Sequence, residues 1–135
     1  MSFGETIAPL AGRCLIAALF VLAAVQKLQN WGSTTLYMAE HGIKMIEPLL
    51  ALAIVLELGA GLALAAGFRT RLIALILFVY TLVVSFQMHD FWTLTGEAAQ
   101  IEMQMFMKNL GIAGGLLVLV GLGAGGWSYD SRRGD

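Results

Sequence analysis

Four long apolar runs dominate the chain, and its polar residues gather between them. Leu10–Leu28, Ile46–Ala66, Arg71–Met88 and Met105–Gly123 each approach the roughly 20 apolar residues that a membrane-crossing helix needs. The third run lies at the short end of that range. None alternates with the two-residue period of a barrel strand, and a helix satisfies its own backbone hydrogen bonds in hydrocarbon. The pattern predicts an all-α integral membrane four-helix bundle. It is read as a single domain over residues 1–135, with spans at about 10–28, 46–66, 71–88 and 105–123.

The connections carry their own signals. Residues 29–47 hold Trp31, Tyr37 and Met38, punctuated by Gly42 and then Pro48. Residues 89–104 hold Phe91 and Trp92. Aromatics at these places suit the headgroup belt. The run Ala98–Met107 is a candidate amphipathic start for the fourth span. The first span is not expected to be cleaved as a signal peptide, because Ala23-Ala24-Val25-Gln26 is a poor cleavage site.

Composition strengthens the membrane reading. Hydrophobic residues make up 59% of the chain and charged residues only 13%. A soluble domain carries about 25% charged residues, and a soluble chain of this length has no means of hiding so much apolar surface. The net charge of −1 comes with no basic block for nucleic acid and no acidic tail. Cys14 is the only cysteine, so neither an intrachain disulfide nor an internal dithiol couple is available. Phosphate-loop, dinucleotide-binding and zinc-protease motifs are absent from the sequence. No metal site is expected.

Lys and Arg counts set the expected orientation. Four spans leave both termini on one side, which holds Arg13, Arg69, Arg71, Arg132 and Arg133. The other side holds Lys44, with Lys27 and Lys108 inside spans. The excess predicts cytoplasmic termini. Gly67 then suits the helix C-cap of a tight cytoplasmic turn.

Ionisable residues inside spans are the informative ones, since each costs about 2.5–3.5 kcal/mol at the bilayer centre on insertion scales. Glu57 stands mid-span on a small-residue face with Ala53, Ala60 and Gly61. It is expected either to be protonated or to pair with a lysine or arginine. Arg13, Ala17, Phe20, Ala24 and Lys27 share one stripe at helical spacing. Thr81, Ser85 and His89 form a weaker polar stripe, and Lys108 with Asn109 begins the last span. Gly111 and Gly115 have the G-x-x-x-G spacing of close helix packing, and Gly61 lies on the small-residue face of the second span. The expected site is a polar pocket open to the outer face, floored by Glu57 and walled by Lys27, His89, Lys108 and Asn109. The competing reading makes Glu57 and Lys108 a structural pair, Lys27 a snorkelling residue and His89 an interfacial one. His41 is expected to be solvated. Arg13, Arg69 and Arg71 are candidates for contact with lipid phosphate or helix ends.

The chain resembles the DoxX family. The matching pieces are Gly12 and Arg13 opening the first span, then Phe20 and Lys27 along it. The run ELGAGLAL at Glu57–Leu64 follows, then Gly67–Arg71, His89–Trp92 and Phe106–Asn109. Gly114, Gly115 and Ser128–Asp130 complete the set. The resemblance implies a multi-pass protein of the bacterial inner membrane linked with redox chemistry. Similar proteins include the membrane subunit of a thiosulfate:quinone oxidoreductase. Others take part in thiol-stress defence, and the wider grouping includes cargo receptors that are not enzymes. No family-wide catalytic residue carries over, so a catalytic set stays unknown.

The reading that follows is a redox-associated membrane subunit, with quinone or a small sulfur anion as ligand. Expected partners are lipid and other membrane subunits or further copies of the chain, and nucleic acid is not among them. A non-catalytic scaffold is the alternative. A transporter or lipid-handling protein is a weaker third.

Overall fold

The computed structural model describes residues 1–134. Four helices in it are long and apolar enough to cross a membrane. They are α1 (Ile7–Gln29), α3 (Ile46–Ala66), α4 (Thr70–Met88) and α5 (Gly96–Leu122). A short helix, α2 (Trp31–Glu40), lies in the connection between α1 and α3. A 3-10 turn (Phe91–Thr93) lies between α4 and α5, and α6 (Tyr129–Arg133) ends the described chain. The apolar run at 105–123 forms the later part of α5, which starts nearer Gly96 than the hydropathy alone suggests.

The bundle has the outward surface of a protein solvated by lipid. Leu15, Leu22, Leu52, Val83 and Leu122 stand exposed on its flanks. Inward faces are narrow and rich in small residues. The buried residues of α1 are Arg13, Ala17, Phe20 and Ala24, the stripe that helical spacing marks in the sequence. α1 packs along α3, and α4 packs along α5. A Cβ at Gly61 would come within 3.1 Å of Val21 and 3.4 Å of the Ala17 carbonyl, so glycine there lets α1 and α3 approach closely. Gly115 makes a similar approach to Ile16, whereas Gly111 faces open space. The G-x-x-x-G spacing is therefore only half used within this chain.

Arg13 ties the end of the bundle that carries the termini. Its side chain is fully buried. It donates to the Leu64 and Ala65 carbonyls at 3.3 and 3.1 Å and to the Trp127 carbonyl at 2.6 Å. The last carbonyls of a helix lack intrahelical partners and carry partial negative charge. A guanidinium supplies what hydrocarbon does not. Gly67 follows in left-handed conformation and closes a Schellman motif, with Phe68 N–H on Ala63 O at 2.9 Å and Gly67 N–H on Leu64 O at 3.1 Å. A side chain at Gly67 would also collide with the Arg13 guanidinium. Arg71 repeats the device on α5, donating to the Val120 and Gly121 carbonyls. Of the two alternatives for Arg13 and Arg71, the fold realises the helix-end contact.

Asp130 caps the start of α4 from the C-terminal segment. Its carboxylate accepts from Arg69 N–H at 2.7 Å and Thr70 N–H at 2.8 Å, while its own N–H donates to Gly67 O at 2.9 Å. This grip holds Arg69 in the left-handed region at φ 44°. Burial pushes the Asp130 carboxyl up, but the hydrogen bonds from Thr70 and Arg69 and the nearby Arg13 charge outweigh it. The net effect holds the group below its ordinary value. A depressed folded-state value means that the cap stabilises fully above the ordinary Asp value of about 3.9 and is lost as pH falls through the folded one. Asp130→Asn is expected to lower the unfolding midpoint in detergent at pH 7, with the gap to the parent closing below about pH 4. A gap that widens on acidification contradicts this account.

Candidate functional site

Lys27, Glu57 and Tyr80 meet in the middle of the bundle. Each comes from a different spanning helix. Helical side chains tilt toward their own N-terminus. α1 and α3 run in opposite directions, so Lys27 on one and Glu57 on the other lean toward each other. The Lys27 Nζ lies 2.9 Å from Glu57 Oε1 and 3.0 Å from Oε2. Tyr80 Oη donates to Glu57 Oε1 at 2.7 Å. The Glu57 side chain is only 5% exposed, against 28% for Lys27. Both carboxylate oxygens are thus satisfied, and the ion pair is neutral as a unit.

Beside this triad lies a cavity of about 830 Å³. Lys27 and Tyr80 line its polar end, and Glu57 stands behind them. Leu49, Leu52, Ala53 and Leu56 of α3 and Val83 and Val84 of α4 form its walls. Toward α2 it is bordered by Tyr37, Met38, Ile43, Lys44 and His89.

The α2 end of the cavity is crossed by a second polar cluster. His89 Nδ1 lies 2.6 Å from Glu102 Oε2. Tyr37 Oη donates to Glu102 Oε1 at 3.2 Å and to the Met88 carbonyl at 3.0 Å. His41 Nε2 lies 3.5 Å from Asp90 Oδ1, and its Nδ1 lies 2.8 Å from the Tyr37 carbonyl. These contacts tie α2 to the connection between α4 and α5 and to α5 itself. Burial, and then the Glu102 charge, push the Tyr37 hydroxyl up, which keeps it a donor at neutral pH. Among the described residues, no group of three or more His, Cys, Asp or Glu side chains is placed to hold a metal ion.

The sequence-based pocket is thus partly assembled. Lys27 and Glu57 come together. His89 borders the same cavity but bonds to Glu102 rather than approaching Glu57. Lys108 and Asn109 do not join. On α5 the buried residues are Phe106, Ala113, Leu116 and Leu119, and Lys108 lies about 200° around the helix from Phe106 at 100° per residue. Lys108 is accordingly exposed, and the structural pair with Glu57 that its position suggested is made by Lys27 instead. The Thr81 and Ser85 stripe is core: both are buried, and Ser85 Oγ donates to the Thr81 carbonyl at 2.6 Å. His41 is held by Tyr37 and Asp90, with a side chain only 12% exposed. Sequence spacing missed Tyr80, Tyr37 and Glu102. A tyrosine within the third span was the one available signal for Tyr80. Nothing local marked Glu102 as the partner of His89, thirteen residues away.

Comparison with known proteins places these features in a family. A sequence model described as DoxX matches residues 8–90. The chain is 35% identical over 125 residues to the inner membrane protein YphA of Escherichia coli, covering 91% of this chain and 88% of the relative. It is 37% identical over 126 residues to the inner membrane protein YqjF of the same organism, covering 93% and 92%. A surfeit locus protein 4 homolog of Drosophila melanogaster is 28% identical over 126 residues, which are 92% of this chain and 40% of that protein. No solved structure matches the chain.

The ion pair has a direct test. Removing one partner of a buried pair costs about 3–5 kcal/mol, and Lys27, being partly exposed, places the cost near the lower figure. Glu57→Ala and Lys27→Met are each expected to destabilise by about 3 kcal/mol, while Lys27→Met with Glu57→Leu recovers most of the loss. Lys108→Ala stays within about 0.5 kcal/mol of the parent. Reversible unfolding in mixed micelles reads all four variants. Additive losses in the double variant rule out the pairing.

Proposed function

The chain belongs to the DoxX family of multi-span bacterial inner-membrane proteins, and on that premise we propose that it is a redox-associated membrane subunit holding a quinone between α3 and α4. The observation that carries the reading is the cavity of about 830 Å³, apolar along its walls and ending at Lys27 and Tyr80. Ligand sites of roughly 300–1,000 Å³ with apolar linings and a few convergent polar groups are the usual form for small molecules. A quinone has that polarity, with carbonyl oxygens on an apolar ring and tail.

The polar end discriminates between quinone and a small sulfur anion. The Lys27 charge is already balanced by Glu57 at 2.9 Å. A further anion would bring an uncompensated charge into a mostly apolar cavity, which is costly. A neutral carbonyl needs only a donor. Lys27 has three N–H donors and engages two carboxylate oxygens, so one remains for a ligand carbonyl. Tyr80 donates to Glu57 and keeps lone pairs for a ligand hydroxyl. The bound quinone would supply two-electron, two-proton chemistry. The chain itself binds and orients the head, excludes water from it, and holds a proton-exchanging carboxylate one tyrosine away. With one cysteine, it has no internal dithiol, so the electrons come from a partner subunit, a bound cofactor or the substrate itself.

Native mass spectrometry of gently extracted protein checks the reading. The parent is expected to retain a quinone, and Lys27→Met to retain at least tenfold less. A parent that carries none, and whose unfolding midpoint does not move when quinone is added, sinks it.

A scaffold role is the second reading. Gly111 and Gly114 have open space before them, a surface on which another helix can lie close. In either case the termini are assigned to the cytoplasm. Arg69, Arg71, Arg132 and Arg133 belong to the terminal end, against Lys44 at the α2 end. A reporter active only in the cytoplasm, fused after the last residue, is expected to be active; an active periplasmic reporter there reverses the assignment.

A further inference from the structure

We infer that the cavity is loaded sideways from the bilayer, through the gap between α3 and α4, and that its ligand carries a long apolar tail lying in that gap. The inference rests on the quinone reading for the identity of the head. Three observations support the route.

The first is that cavity walls are also bundle surface. Leu49, Leu52 and Val83 line the cavity and are 45%, 61% and 62% exposed. Residues that do both leave the wall thin on the side facing lipid, with no second layer of side chains behind them. α3 and α4 are joined by a tight turn at Gly67–Arg69, yet each packs mainly on another partner: α3 on α1, and α4 on α5. The two helices therefore part as they rise from the turn.

The second is that the aqueous side is tied. A ligand arriving from water at the α2 end would have to pass Tyr37 and His89, which meet on Glu102, and His41 on Asp90. Met38 of α2 is buried there in a cluster with Leu50 and Ile54. The route from water crosses these hydrogen bonds and packed side chains, whereas between α3 and α4 the Tyr80–Glu57 hydrogen bond lies at the polar end, beyond the leucine and valine walls.

The third is the direction of polarity. Lys27 and Tyr80 stand at the deep end, beside the ion pair, and the walls leading outward from them are leucine, alanine and valine. A head held at Lys27 points any substituent along those walls into the acyl region. Such a tail gains roughly 25 cal/mol for each Å² removed from water, and hydrocarbon on both sides of the gap receives it equally well. A tail-less head gains nothing from this geometry.

Two measurements test the route in lipid nanodiscs with the full chain. First, binding of a decyl-tailed benzoquinone is compared with the same benzoquinone lacking the tail, both as free aqueous concentrations and as mole fractions in lipid. The tailed form is expected to bind at least tenfold more tightly on the aqueous scale and as tightly as the tail-less form on the lipid scale, since its tail stays in hydrocarbon. A tailed form at least tenfold weaker on the lipid scale, excluded by a closed wall, overturns the tail. Second, Ala53→Trp places an indole on the gap wall. Bromine-labelled acyl chains are expected to quench the added fluorescence, and aqueous acrylamide to leave it unchanged. Quenching by acrylamide and not by bromolipid overturns the lateral opening. This measurement needs no quinone, so the two ideas fail separately. If bromolipid quenches and neither quinone binds, the opening stands and the quinone head falls.

Discussion

Hydrocarbon offers no hydrogen bonds, and a polar group placed in it must find a partner within the protein. The arrangement of this bundle follows from that constraint at two places. Arg13 enters the membrane-facing part of α1 and is fully buried, so its guanidinium takes the free carbonyls at the end of α3 and the Trp127 carbonyl. Glu57 stands near the middle of α3 and takes Lys27 and Tyr80. Each contact joins elements distant in sequence, and each sets how far one helix slides along another. The α1–α3 pair is fixed at both positions, with Gly61 allowing the close approach between them.

The two ends of the bundle are built differently in consequence. The terminal end is a dense set of helix-end contacts: Arg13, Arg71, the Gly67 motif and the Asp130 cap all satisfy backbone groups that a helix leaves open. The α2 end is held by side-chain pairs, His89 with Glu102 and His41 with Asp90. Between these ends, α3 and α4 line the cavity. In this DoxX-family protein the terminal end is closed by backbone contacts, and the Lys27–Glu57 pair borders the cavity.

The candidate site was half legible in the sequence. Glu57 announced itself, because a mid-span carboxyl must either take a proton or find a cation. Lys27 was recognisable from its stripe with Arg13, Ala17, Phe20 and Ala24, which identified the inward face of α1. Lys108 was equally close in depth and equally charged, and depth alone did not separate the two. What separates them is rotation about the helix axis: α5 turns Phe106 and Ala113 inward, and Lys108 away. Tyr80 shares α4 with the more conspicuous Thr81 and Ser85, which proved to be buried core. One residue of offset moves a side chain by about 100° and decides between cavity and core.

By itself, the sequence determined the four spans, their helical form and the choice facing Glu57 between protonation and a cationic partner, because these depend on transfer from water to lipid and on local periodicity. It also carried the Arg13–Ala17–Phe20–Ala24 face of α1 and the Gly67 stop. Only the tertiary structure decided which charge meets which, that α1 lies on α3 and α4 on α5, and that a cavity remains between α3 and α4. Those outcomes depend on the relative rotation and register of whole helices. They are set by many small packing contacts between residues far apart in the chain, and no single residue records them.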